Sequence, residues 1–251
     1  MLSLPTSLFI LVAVILTSFL SGILGMAGGM VLMGAMTWVL PVSQAMILHS
    51  VTQFAANGSR AFFHRKYVYK SSLGYYLLGL IGMLLALSLI TYMPDKIVVF
   101  IFLGMGPFVA YMLPRNLKLN FTKPGHAVLC GAMVTVFQLT GGVSGPFLDI
   151  FFQTNGLTRH QTVATKACTQ ALSHTAKFIY FSFIVSSPAT AWTGVPLWLY
   201  FAVVPVAIIG TNASKTVLER LTDKQFYKAT QLSLFIIGGI YLCKAFSLWR
   251  G

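Results

Sequence analysis

The chain has 251 residues, of which 57% are hydrophobic and only 8% are charged. Soluble domains carry roughly 25% charged residues, so this composition excludes an ordinary soluble domain, and it also excludes a disordered or collagen-like chain. Residues 1–59 contain no Asp, Glu, Lys or Arg, a run far longer than the roughly 20 apolar residues that cross a bilayer as a helix. Segments of about ten strictly alternating residues, typical of outer-membrane barrels, are not visible. The sequence therefore predicts an all-α polytopic membrane protein without a large soluble domain.

The charge is strongly unbalanced, with 17 Lys and Arg against 4 Asp and Glu. The positive-inside rule alone places Lys and Arg in cytoplasmic loops, whereas a positive field would also attract an anionic solute. The basic residues are dispersed among loops, so we expect no nucleic-acid partner. The three cysteines lie singly inside apolar runs without metal-ligand spacing, so we expect neither a metal nor a cofactor. Residues 1–7 lack the basic residues of a signal peptide, so the first apolar run should stay in the mature protein.

Eight hydrophobic segments follow one another along the chain, with prolines between them as helix breakers. They cover residues 4–40, 43–63, 72–92 and 97–113, and then residues 125–156, 159–185, 195–214 and 225–246. Residues 114–124 between the two groups carry Arg115, Lys118 and Lys123. We therefore predict a basic cytoplasmic linker at 114–124.

The two groups of segments repeat each other. A shift of 117 positions aligns residues 25–28 with 142–145, and it aligns several polar residues further along the chain. These pairs are Thr52 with Thr169, Gln53 with Gln170, Asn57 with His174, Arg60 with Lys177, and His49 with Lys166. So many coincident polar residues in an apolar chain indicate an internal repeat. We predict two homologous halves, a first repeat at 1–113 and a second at 125–251.

The loop charges indicate how the halves are oriented. The loop after the second segment carries Arg65, Lys66 and Lys70 in the first half, whereas the matching residues 185–195 carry no charge. Because positive loops face the cytoplasm, we expect inverted repeats, which require an odd number of crossings per half. Each first segment is then Gly-broken or re-entrant, followed by three transmembrane helices, and the C-terminus is periplasmic. The alternative is eight full spans in parallel repeats, which would leave the basic residues 215–228 outside.

Glycine clusters at 22–29 and 141–146 interrupt the first segment of each half. Glycine is also common where membrane helices pack closely. A break, however, frees backbone N–H groups, which are costly in a membrane unless they face protein or a wet cavity. A half-helix starting after the break would point its positive N-terminus at an anion, and we predict such half-helices at 30–40 and 147–155. The candidate donors are the backbones of Gly28, Gly29 and Gly145 and the hydroxyls of Thr140 and Ser144.

The second segment of each half carries a polar stripe. His49, Gln53, Asn57 and Arg60 are spaced i, i+4, i+8 and i+11, and Lys166, Gln170, His174 and Lys177 repeat that spacing, with Thr52 and Thr169 beside them. Such polar groups should face an interior cavity, although hydrogen bonds between the two helices are an equally good reading for Gln and Asn. Arg60 could instead snorkel to the adjacent basic loop. A buried lysine needs a counter-charge, which a transported anion would supply.

Asp149 is the one acid inside a hydrophobic segment. We expect it to pair with Lys166 or Lys177, with proton uptake in coupled transport as the alternative. Serine-hydrolase, zinc-protease and P-loop motifs are missing from the sequence, so we do not expect an enzyme, and any active transport should be secondary.

Residues 49–60 and especially GPFLDIFFQTNGLTRHQTVATKACTQALSHTAKFIYF, at 145–181, resemble the TauE/SafE sulfite exporter family. The resemblance covers nearly the whole chain. It implies export, or in some members uptake, of sulfite, sulfonates or related organosulfur anions across the bacterial inner membrane. The first glycine cluster departs from this pattern, since it has one glycine fewer than the richest members of the family.

The sequence as a whole predicts a secondary transporter that binds a small anion between its two halves and works by alternating access in the lipid bilayer. A cation or proton-linked transporter or channel, and a non-transporting membrane subunit, are the alternatives. Transport direction, a coupled proton and the oligomeric state stay open. The predicted substrate-binding residues are Gly28, Gly29, Thr52, Gln53, Asn57, Arg60, Thr140, Ser144, Gly145, Lys166, Thr169, Gln170, His174 and Lys177.

Overall fold

The computed structural model describes residues 2–24, 27–112, 119–153, 156–186, 192–214 and 223–250, and within these ranges the protein is all helical. The helices are α1 Leu4–Leu24, α2 Ala27–Val39, α3 Val42–Phe63, α4 Leu73–Ile90, α5 Lys96–Met112, α6 Pro124–Thr140, α7 Gly145–Ile150, α8 Arg159–Ile179, α9 Leu197–Ala213 and α10 Asp223–Arg250. The predicted all-α fold is thereby confirmed.

Local sequence signals set several helix starts. Pro41 precedes α3, Pro124 opens α6 and Pro196 precedes α9, positions where a missing N–H costs nothing. Thr158 caps α8 with a capping box, in which its side chain accepts from the backbone of Gln161 and the Gln161 side chain accepts from Thr158. The capping box therefore fixes the first residue of α8, which is the least apolar of the long helices.

The first segment of the second half is broken, as predicted. Helix α6 ends at Thr140 and α7 begins at Gly145, and Gly142 between them has a φ of +77°, which only glycine adopts without strain. The ring of Phe147 stacks on that of Phe137 with centroids 3.4 Å apart, and the Phe121 backbone N–H donates to the carbonyl of Phe151 over 2.9 Å. Helix α7 therefore folds back along α6, and the hairpin closes at the residues that precede α6.

The first segment of the first half forms a matching hairpin. Helix α1 ends at Leu24 and α2 begins at Ala27. The break predicted at the glycine cluster 22–29 includes residues 25 and 26, which lie outside the described residues. A Cβ atom on Gly28 would collide with the backbone of α1, so α2 starts against the last turns of α1. The Leu2 N–H donates to the Gly194 carbonyl over 2.8 Å, and Gln44 Nε2 donates to the Thr193 carbonyl over 2.6 Å. The start of α1 and the start of α3 thus meet at the same loop.

The predicted half-helices need correction at their ends. Helix α2 starts at Ala27 rather than at residue 30, so Gly28 and Gly29 lie inside its first turn. Helix α7 ends at Ile150, well short of residue 155; residues 154 and 155 lie outside the described residues. The return arm of the second hairpin therefore contains one short helix, after which the chain turns back to Phe121.

Helices α3 and α8 lie side by side and run in opposite directions at the centre of the protein. The end of α3 faces the start of α8, where the Tyr69 N–H donates to Thr165 Oγ1 over 2.9 Å and the rings of Tyr67 and His160 stack at 5.1 Å. Three further close pairs surround them: α1 with α9, α4 with α6, and α5 with α10. Each of the four pairs joins a helix of residues 1–113 to a helix of residues 125–251.

Glycines permit these close pairs. Added Cβ atoms on Gly79 and Gly131 would collide with the opposite backbone in the α4–α6 pair, and one on Gly104 would meet Leu242 between α5 and α10. Membrane helices associate through such small residues because lipid gives no hydrophobic drive between them. These glycines, which lie outside the two predicted clusters, thus pack the helix pairs together.

Three described helices are long and apolar enough to cross a membrane, at Leu4–Ile23, Lys70–Ile90 and Gln231–Arg250. Four more apolar helices are shorter. Large apolar side chains such as Leu16, Leu89 and Ile236 are exposed on these outer helices, as lipid-facing residues are. Helices α3 and α8 are also long enough to cross a membrane, but they are more polar than these three because they carry the two polar stripes.

Candidate functional site

Five of the eight side chains of the polar stripes on α3 and α8 are buried inside the protein. His49 and Lys177 are 0% exposed, and Gln53, Asn57 and His174 are 3%, 7% and 2% exposed. Lysine is almost never fully buried unless it is paired. The predicted interior location of the stripes is therefore confirmed for these side chains.

Lys177 connects the turns of the two hairpins. Its Nζ donates to the carbonyl of Gly142 and to Nδ1 of His49, each over 2.8 Å, and His49 Nε2 lies 2.9 Å from the carbonyl of Gly29. Because a carbonyl only accepts, the hydrogen of a neutral His49 ring is on Nε2 and its Nδ1 accepts from Lys177. A continuous chain of hydrogen bonds thus joins Gly29 at the start of α2 to Gly142 in the α6–α7 turn.

A second hydrogen-bonded chain lies beside the first. Gln138 Nε2 is 2.7 Å from His174 Nδ1, and Ser144 Oγ donates to Gln138 Oε1 over 2.9 Å. The rings of His174 and His49 are 5.4 Å apart, so the two chains meet at this pair of histidines. We call His49, Gln138, His174 and Lys177 the inner cluster.

Gln138 and His49 are absent from the predicted substrate-binding residues, although His49 was placed on the polar stripe. Gln138 is the one amide among residues 125–152. Its position inside an apolar segment, just before the glycine cluster, was the signal that could have identified it. Its contact with His174 depends on how α6 lies against α8, which the sequence does not show.

Two buried amides near the inner cluster have an unused donor. Nε2 of Gln53 and Nε2 of Gln170 are buried and have no hydrogen-bond partner among the described residues. Asn57 Nδ2 donates to the Gln53 backbone carbonyl and side-chain oxygen over 3.0 and 3.3 Å, which orients the Gln53 amide. Gln53 also faces the start of α2, since a Cβ on Gly29 would lie 3.5 Å from its Oε1. An unpaired buried donor costs about 1–3 kcal/mol, so these amides are suited to a polar ligand.

The predicted threonines have a different role in this arrangement. The hydroxyls of Thr52, Thr140 and Thr169 donate to carbonyls of their own helices, at Leu48, Val136 and Lys166. Their hydrogens are thus already used by the protein. Gly28 and Gly29 have backbone N–H groups in the first turn of α2, where no intrahelical acceptor exists. Gly145 is the first residue of α7.

Lys166 and Arg60 lie away from the inner cluster. Lys166 forms an ion pair with Asp149, which confirms one of the two pairings predicted for Asp149. Arg60 comes eleven residues after His49, and Lys166 comes eleven residues before Lys177. The antiparallel packing that joins His49 to Lys177 therefore brings Arg60 to the level of Lys166. We call Arg60, Asp149 and Lys166 the outer cluster. Eleven residues separate Lys166 from Lys177, which is about 16 Å along a helix.

An all-helical chain with apolar outer faces, paired hairpins and a buried cation at their junction defines a membrane protein with a polar, positively charged interior. The family model for the sulfite exporter TauE/SafE matches residues 10–242. The chain therefore belongs to the TauE/SafE sulfite exporter family, a family of membrane anion exporters, and the predicted resemblance is confirmed. No curated protein and no solved structure matches the chain significantly.

Proposed function

We propose that this protein is a secondary transporter that moves a small oxyanion, such as sulfite or a sulfonate, out across the bacterial inner membrane. The observation that carries the proposal is Lys177, which is fully buried and, among the described residues, donates to two neutral acceptors. None of the described carboxylates forms an ion pair with it; the ion pair among these residues is Lys166–Asp149. A buried ammonium without a counter-charge costs several kcal/mol, and a transported anion would offset that cost.

The inner cluster and its neighbours supply the directional contacts in this proposal. Lys177 gives the positive charge, and the unpaired Nε2 of Gln53 gives a hydrogen bond to an anion oxygen. The first-turn N–H groups of α2, including those of Gly28 and Gly29, would add further donors and a favourable dipole. His174 and Gln138 hold the second hairpin in register with these groups.

We propose further that the two halves are inverted repeats. In support, the first hairpin closes at the loop of Thr193 and Gly194, whereas the second closes at Phe121. Phe121 packs on Tyr76 near the start of α4, at the end of the protein that carries the basic loop 64–72. The α1–α9 and α4–α6 pairs would exchange under a two-fold axis in the membrane plane. The positive-inside rule then places the basic end in the cytoplasm and the C-terminus in the periplasm.

Alternating access would open the inner cluster to one side at a time. The hydrogen-bonded link from Gly29 through His49 and Lys177 to Gly142 joins the two hairpin turns. An anion bound to Lys177 would compete for its hydrogens and so loosen this link. In the proposal, binding therefore biases the relative position of the two hairpins.

Flux of labelled sulfite into liposomes that contain the purified protein tests the proposal. We expect protein-dependent sulfite flux that a sulfonate such as taurine inhibits, and no comparable flux of Na⁺ or K⁺. Gln53→Leu should lower the apparent affinity about tenfold, because one hydrogen bond to a charged group is lost. Gln44→Leu is the matched control, since Gln44 bonds to the Thr193 loop instead. Absence of anion flux, or cation flux in its place, would reject the transporter proposal.

A further inference from the structure

The outer cluster has more positive than negative charge. Arg60 and Lys166 are both cations, and Asp149 is the one carboxylate in contact with Lys166 among the described residues. The side chains of Lys166 and Asp149 are 25% and 38% exposed, so the cluster is partly open, unlike the fully buried Lys177. Asp149 is the fifth residue of the six-residue α7, near a helix C-terminus that disfavours a negative charge. Its attraction to Lys166 therefore holds it in place.

The outer cluster is separate from the inner one. His49 meets Lys177 at one level of the antiparallel α3–α8 pair, and eleven residues along each helix this register brings Arg60 to the level of Lys166. On both helices the two levels are eleven residues apart, about 16 Å. A small oxyanion cannot contact both, so the predicted single site containing Arg60, Lys166 and Lys177 together is divided into two centres of positive charge.

The two unpaired amides lie between these centres. Gln170 is four residues from Lys166 and Gln53 is four residues from His49, each toward the other centre. At 1.5 Å per residue, each step is about 6 Å along the helix axis. Nε2 of each amide is buried without a partner among the described residues. Donors therefore follow one another at short intervals from Lys166 to Lys177.

The outer cluster is also the one nearer the basic end of the protein. One residue before Lys166, Thr165 accepts from the backbone of Tyr69 in the basic loop, and His160 stacks on Tyr67. An anion arriving from this end reaches Lys166 before it reaches Lys177.

Building on the proposed transport function, we infer that Arg60 and Lys166 form a second anion site, in which Asp149 is a tethered carboxylate that the transported anion displaces. The anion exchanges with Asp149 at Lys166 and then passes Gln170 and Gln53 to Lys177. When it has moved on, Asp149 pairs with Lys166 again. The ion pair between α7 and α8 is thus a competitor for the substrate rather than only a structural contact.

Asp149→Asn tests this competition, because it removes the carboxylate charge and keeps the shape of the side chain. We expect the sulfite concentration for half-maximal flux, and for half-maximal thermal stabilisation of the purified protein, to fall about tenfold. Asp95→Asn is the matched control. Asp95 is exposed and accepts from the Val98 backbone at the start of α5, a capping role that Asn fills equally well. Its half-maximal concentration should be unchanged.

Lys166→Gln gives a second test that does not depend on the folding of the Asp149 variant. We expect a half-maximal concentration at least tenfold higher than in the wild type, with sulfite still stabilising the protein through Lys177. An unchanged or raised half-maximal concentration in Asp149→Asn, or an unchanged one in Lys166→Gln, overturns the inference. If the variants give these contrary results but the wild-type protein transports sulfite, the second site is rejected and the proposed transport function is kept. If the wild-type protein shows no anion flux, the second site and the transport function are both rejected.

Discussion

Replacing Lys177 with methionine tests whether this lysine binds the transported anion or mainly stabilises the fold. The change removes the ammonium but keeps an unbranched side chain in the same space. Two buried acceptors, Nδ1 of His49 and the carbonyl of Gly142, lose a donor at 2.8 Å, which costs about 1–3 kcal/mol each. In the opposite direction, the variant avoids burying a charge without a carboxylate partner, a cost of several kcal/mol. These contributions nearly cancel, so the free energy of unfolding without ligand should change by less than about 2 kcal/mol.

Anion binding should respond quite differently to the same change. A hydrogen bond to a charged group contributes about 1.5–3 kcal/mol, which corresponds to roughly 10- to 150-fold in Kd. We therefore expect Lys177→Met to lose the rise in Tm that sulfite gives the wild-type protein in detergent, with little change in Tm without sulfite. Lys70→Met, which removes one charge from the exposed basic loop, should keep the sulfite response.

Two outcomes would refute this reasoning about Lys177. A loss of stability of about 3–5 kcal/mol without ligand, as when one partner of a buried ion pair is removed, would mean that the lysine mainly holds the hairpins together. A normal sulfite response in Lys177→Met would mean that the anion binds elsewhere.

Two further predictions concern the hairpins and the topology. Gly28→Ala places a Cβ against the α1 backbone and should lower the free energy of unfolding by about 1–3 kcal/mol. Gly82→Ala is the control, because Gly82 has open space around it, and it should leave stability unchanged. Equal Tm values for the two variants would contradict the close packing of the first hairpin. In a cysteine-free background, Arg65→Cys and Ser186→Cys mark equivalent loops of the two halves. A membrane-impermeant thiol reagent should label them from opposite sides if the repeats are inverted and from the same side if they are parallel.

Much of the fold follows from the apolar pattern of the sequence. The segment predicted at residues 43–63 is helix Val42–Phe63, and the segment at 97–113 is helix Lys96–Met112. Proline and apolar composition set these ends locally, so they can be predicted without tertiary information. The α6–α7 break is of the same kind, because Gly142 adopts a positive φ and Pro146 has no N–H to continue the hydrogen bonding of α6.

The ends of the half-helices were less predictable because tertiary contacts decide them. Helix α7 stops at Ile150, where the chain turns to bond with Phe121. Helix α2 begins with glycines that have low helix propensity, and packing against α1 and α3 stabilises them there. Neither contact is visible in the local sequence.

The polar stripes were predicted as a set, but not their division into two clusters. Spacing of i, i+4, i+8 and i+11 places the residues on one face, and it cannot show which residue of the partner helix each one meets. The antiparallel packing of α3 and α8 decides that His49 meets Lys177 and that Arg60 lies at the level of Lys166. Asp149 could be assigned to Lys166 rather than Lys177 only once α7 was placed.

Each of the closest helix pairs takes one member from residues 1–113 and one from residues 125–251. Neither half alone could bury the glycine-lined faces of these pairs, so the two must pack against each other to fold. A chain cut within residues 114–124 should accordingly yield two fragments that function when co-expressed and fail when expressed singly. If the two halves are homologous, as the repeat predicts, a half-length ancestor would have worked as a pair of identical chains, and fusion of the two copies would have let Lys177 and His49 diverge from Arg60 and Lys166.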